Sequence, residues 1–156
     1  MSLSTALANH LRAVFFGGNW TSSNLKDQLS NVTLDVASVK VQECNTILAL
    51  TYHISYYISG VLEVFKNKPL LIKDQYSYNY PNITTETEWQ TMLDTVWTDV
   101  EILATSIEQL KEEQLWQDFT DAKYGSYYSN ITGIIEHTHY HLGQISLLKK
   151  LIKNPS

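Results

Sequence analysis

Apolar residues recur at helical spacing through four long segments of this 156-residue chain, and no run shows the strict alternation of a half-buried strand. Ile47, Leu50, Ile54, Ile58, Val61, Leu62 and Phe65 form one such stripe, and Trp89, Leu93, Val96, Val100, Leu103 and Leu110 form another. Helices without a sheet can bury their stripes only against each other, so the pattern predicts an all-α four-helix bundle. The length suits a single domain, 1–156, with one core.

Local chemistry punctuates the helices. The first is expected over Ser4–Phe16, closed by Gly17-Gly18, which tolerate the positive φ of a helix end. A short turn follows over Leu25–Leu29. A second long helical region is predicted over Thr33–Lys66, with Asn67 to Pro69 ending it. Residues 67–85 hold Pro69, Pro81, Tyr76, Tyr78 and Tyr80 without a helical period. So long a connection between helices two and three reads either as an ordered lid over a pocket or as hydrophobic cover for the bundle end. Thr33 and Thr84 have the chemistry of residues that start helices. Thr85 followed by Glu88 is a capping box and opens a third helix, Glu86–Lys111. A fourth spans Ser126–Ile152, with Lys149, Lys150 and Lys153 at its C-terminal end and Pro155 just beyond.

Charge and cysteine usage exclude several classes. A net charge of −5 and a pI near 5.4 argue against nucleic acid, which needs a basic surface. No uninterrupted apolar run approaches the roughly 18 residues of a membrane span. Met1–Phe16 lacks the basic and apolar regions of a secretory signal. Cys44 stands alone, which fits a reducing compartment and a buried inert thiol. A cytoplasmic location follows as the expectation, and the Asn-x-Thr triplets at Asn19, Asn31, Asn82 and Asn130 then carry no glycans.

Three of the five histidines fall between His137 and His141. Positions i and i+4 of a helix differ by about 40°, so His137 and His141 point the same way, whereas His139 points roughly opposite. Two neutral imidazoles one turn apart can share an ion, but such a pair also arises as ordinary surface or core histidines. His53 sits mid-helix in a largely apolar segment, where a lone histidine is commonly a hydrogen-bonded core residue. By helical counting all three lie on the flank of their packing faces, which permits convergence without requiring it. His10 reads as a surface histidine. Cys44, nine residues before His53 and on the opposite side of the expected helix, is no fourth ligand.

The ordered set Gly18-Asn19-Trp20-Thr21, His53, Ile135-Glu136-His137 and His141-Leu142-Gly143-Gln144-Ile145 resembles the DinB/YfiT-like metalloenzymes over essentially the whole chain. The resemblance implies a four-helix bundle holding one divalent ion, zinc or nickel, with His53, His137 and His141. It also implies a homodimer. Some members of that family are transferases or isomerases dependent on a low-molecular-weight thiol, and the chain offers no obvious cationic group for such a thiol's carboxylates.

Three protein ligands leave coordination positions for water or substrate, the pattern of catalytic sites. The expected function is therefore a metal-dependent enzyme acting on a small molecule, and the resemblance implies a thiol-dependent S-transferase or isomerase. The alternatives are a non-catalytic metal- or ligand-binding stress protein and a structural dimer. By helical counting Asn130, Tyr57 and Gln144 lie near the ligand face, and Glu136 is poorly placed to ligate directly.

Overall fold

The computed structural model describes residues 1–153. Helix α1 (Leu3–Phe16) starts at Ser2, whose side chain accepts from the Thr5 amide, and ends at Gly17 with φ 113°. Glycine carries no Cβ penalty there, and its amide donates back to the Ala13 carbonyl. Helix α2 (Leu25–Leu29) is capped by Asn24, and α3 (Leu34–Ala37) by Thr33. Then come α4 (Ile47–Phe65), α5 (Glu86–Glu108), α6 (Glu112–Leu115) and α7 (Tyr127–Lys153). The described residues are all-α; their only strand-like feature is an isolated bridge between Asp118 and Ser126. Pro155 lies outside them.

Helix α1 packs on α5 and α7, and α4 packs on the same two helices. The four long helices thereby enclose one core, containing Leu11, Phe15, Ile54, Ile58, Leu62, Leu103, Ile107 and Ile145. Trp89, fully buried, donates from Nε1 to the Val32 carbonyl at 2.7 Å and so ties the start of α5 to the segment before α3. The Thr85–Glu88 capping box forms as expected, with Glu88 also accepting from the Thr84 amide.

The expected second helix is not continuous. Residues 38–46 interrupt it: Gln42 adopts a positive φ of 48°, and Thr46 caps a new start by accepting from the Ala49 amide at 3.1 Å. The stretch Lys40 to Asn45 has little apolar surface to bury, so nothing offsets the cost of keeping it helical. Cys44 accordingly sits in a loop and is exposed, in place of the buried helical thiol expected. The third helix stops at Glu108, short of Lys111, and Lys111 instead precedes α6.

Helix α4 is long and apolar enough to cross a membrane by length and composition, although polar residues interrupt every apolar run within it. Most of it is buried against the other helices. Its apolar character is that of a core helix.

Residues 67–85 form a strap with a single 3-10 turn at Asp74–Tyr76. Several contacts fasten it to α4, beginning with Ile72 and Lys73. A Cβ on Gly60 would lie 2.5 Å from Cδ1 of Ile72, so the absent side chain lets Ile72 seat directly on the helix. The Tyr56 hydroxyl accepts from the Lys73 amide at 2.9 Å and donates to the Lys73 carbonyl at 3.0 Å. These contacts carry the strap towards the middle of α4, where His53 lies.

Candidate metal centre

Because α4 and α7 pack together, His53 faces the pair presented by α7. Nε2 of His137 lies 3.0 Å from Nε2 of His53 and 3.1 Å from Nε2 of His141. His53 and His141 are 7% and 6% exposed, and His137 is half-buried. The three form a group whose ligand atoms all lie within 4.8 Å of one another and could hold a metal ion.

Hydrogens satisfy this arrangement poorly, because one N–H would have to be shared between two acceptors. The amide oxygen of Gln144 lies 2.7 Å from His141 Nδ1, so that nitrogen carries the hydrogen and Nε2 keeps its lone pair. His137 Nε2 can then donate one hydrogen or accept one, but it faces two imidazole nitrogens at once. A cation at the point of convergence satisfies all three lone pairs. Zinc–imidazole bonds of about 2.0–2.1 Å place neighbouring nitrogens roughly 2.9–3.4 Å apart for angles between octahedral and tetrahedral. The His53–His137 and His137–His141 separations fall in that range, and the group as a whole lies within 4.8 Å. The donor set fits a borderline divalent ion such as zinc or nickel.

Nδ1 of His53 is buried and makes no hydrogen bond among the described residues. The Ser77 backbone comes near enough to favour a proton on the ring. The His53 ring stacks on Tyr78 with centroids 4.1 Å apart and planes 9° from parallel. Tyr57 presents its ring to both His53 and His137, at 5.0 and 4.8 Å between centroids. Its hydroxyl donates to Asp74 Oδ1 at 2.8 Å. Burial first, and then that bond, push the Tyr57 pKa up to about 12, so the hydroxyl keeps its proton.

Burial lowers the pKa of all three histidines. For His137 the charges of His141 and His53 add to burial and bring it down to about 4. The cluster is therefore neutral and ready to ligate at neutral pH. An unfolded histidine takes up its proton near 6.5, whereas folded His137 resists until about 4. Between those values the unfolded chain binds more protons, so the stability of chelator-treated protein must fall as pH drops from 6.5 towards 4. Urea denaturation across that range should show the decline, and a His137→Gln variant should show a shallower one; equal slopes would contradict the buried, neutral cluster.

Of the residues singled out by helical counting, Gln144 and Tyr57 touch the cluster. Asn130 does not: its amide donates to the Tyr124 and Ser126 carbonyls at the start of α7. Glu136 is exposed and outside the group. His139 turns away, as expected, and meets His10 of α1 with ring centroids 6.1 Å apart. Tyr78 and Asp74 were missed individually. The tyrosine-rich composition of 76–80 marked the segment, but no signal distinguished Tyr78 within it, and none marked Asp74. Neither lid nor hydrophobic cover alone describes the segment: Tyr78 stacks on His53 and Tyr80 lies against Tyr52 with centroids 5.9 Å apart, yet both, like Tyr76, remain partly exposed to solvent.

A cavity of about 410 Å³ adjoins the cluster, with His137 in its wall. Val61, Leu70, Ile72, Phe119 and Ile134 give it an apolar side, while Tyr57, Asp74, Tyr124, Ser129 and Asn130 give it a polar one. No family model, no curated protein and no solved structure matches the chain.

Proposed function

We propose that the protein is a metal-dependent enzyme acting on a small molecule, with one divalent ion held by His53, His137 and His141 in a four-helix bundle of the DinB/YfiT-like type. The observation that carries this reading is the convergence of three buried or half-buried imidazoles whose ligand atoms lie within 4.8 Å of one another. A divalent ion bound there supplies Lewis acidity, favouring the thiolate of a thiol or polarising a carbonyl.

The chain's own residues supply orientation and access. Gln144 fixes the His141 tautomer, the kind of partner that locks a ligating ring in place. Tyr78 covers one face of His53 and keeps water from it. Tyr57 stays protonated and bound to Asp74 beside the His137 ring, giving the cavity a fixed polar wall. The cavity has the size of a small-molecule site. Three protein ligands leave room for a substrate donor, and transfer to or from a thiol, or its isomerisation, is the reaction class we favour.

Metal analysis of protein purified without a histidine tag tests the site: one zinc or nickel ion per chain is expected, and protein that takes up neither ion overturns it. Turnover of a thiol with an electrophile by the metal-loaded protein tests the chemistry. Full metal occupancy with no turnover across such a panel favours the non-catalytic, metal-binding reading instead.

A further inference from the structure

The cavity beside His137 has a charge asymmetry that narrows what it can bind. Asp74 is the one charged residue in its described lining, and no lysine or arginine contributes to it. Tyr57 occupies Oδ1 of that carboxylate, and no described residue bonds Oδ2. Tyr57 links the two ends of the site, since its ring lies against His137 and its hydroxyl against Asp74. The carboxylate is therefore only about one tyrosine side chain from the histidine cluster.

Carboxylate-bearing ligands are normally held by arginine or lysine, and a lone aspartate in the wall repels them. A protonated amine finds its complement there. His137, through which the cavity meets the three-histidine cluster, calls for an atom with a lone pair. Val61, Ile72 and Ile134 also line the cavity, and they suit a short apolar body.

Resting on the metal-site reading above, we infer that the cavity takes a small cationic amine that also carries a metal-seeking donor, an aminothiol being the simplest case, and discriminates against thiols bearing carboxylates. Asp74 reads the ammonium group, and the His53, His137 and His141 cluster receives the sulfur end. Nothing is transferred in this recognition step; the inference concerns which molecules enter.

Cobalt(II)-loaded protein provides a test by binding alone, because its visible spectrum changes when a thiol reaches the ion. Dissociation constants would be measured for cysteamine and for 3-mercaptopropionate, a pair of similar size and opposite charge, in the parent chain and in Asp74→Asn. Asparagine can still accept the Tyr57 hydroxyl, so the wall is kept while the charge is lost. The ratio of the two constants should favour cysteamine in the parent chain and shift by about tenfold towards 3-mercaptopropionate in the variant, the gain and the repulsion at one partly exposed charge combined. Comparing ratios removes the intrinsic difference between the two thiols. A ratio unchanged by Asp74→Asn, or parent protein that prefers 3-mercaptopropionate, overturns the inference and leaves the metal site standing. Failure to take up cobalt(II) at all overturns both.

Discussion

The His141→Ala variant is expected to bind zinc or nickel more than about a hundredfold more weakly than the parent chain, beyond the usual 10–100-fold cost of losing a partner outside the coordination sphere. It loses one of three converging donors and, with it, the lone pair that Gln144 holds in position. Gln144→Leu should lie within that 10–100-fold range, because the ring remains while its tautomer is released. His139→Ala is the control. It removes an imidazole from the same helix but from the face turned towards His10, and should leave affinity unchanged. Isothermal titration of each variant, with circular dichroism to verify the fold, measures the series. An His141→Ala protein that still takes up one ion as tightly as the parent sinks the site.

Trp89→Ala should have the largest effect on stability, about 3–5 kcal/mol by loss of a buried aromatic side chain. Trp89 is fully buried and is the largest side chain in the core. Truncation also strips the Val32 carbonyl of its indole donor. Trp89→Phe separates the two contributions: it keeps much of the volume and deletes the hydrogen bond, for about 1–3 kcal/mol if the carbonyl stays unpaired. Urea midpoints, with the denaturant slope checked for constancy, give both numbers. A loss below about 1 kcal/mol for Trp89→Ala would contradict a packed core at that point.

Helix ends were the most legible part of the fold, because capping is local chemistry. Gly17 and the Thr85–Glu88 pair act within a few residues, and the first closes α1 and the second opens α5 where the sequence places them. The break at 38–46 was hidden. No proline or glycine between residues 38 and 46 marks the interruption, which depends on what those residues have available to pack against.

The site divides along the same line. Spacing on one helix puts His137 beside His141 and sends His139 elsewhere. Bringing His53 to them depends on how α4 and α7 are rotated against each other, which no local period encodes. Asn130 shows the opposite failure. Angular counting puts it nearly in line with His137, but seven residues are about 10 Å of helix rise, so it shares the cavity wall without touching the cluster and spends its amide on the Tyr124 and Ser126 carbonyls. Tyr78 belongs to an aperiodic strap and is positioned by the contacts of Ile72 and Tyr56 several residues away.

The separation of 84 positions between His53 and His137 has a thermodynamic consequence. In an unfolded chain only His137 and His141 remain near each other, and a helix that has melted no longer aligns even those two. An ion bound by all three would thus recognise the native state almost alone, and mass action would convert its affinity into resistance to unfolding. Free ion at a hundred times its Kd adds about 2.7 kcal/mol, a substantial fraction of the stability of a domain this size. Metal supply would then set the lifetime of the folded chain as well as the competence of its site.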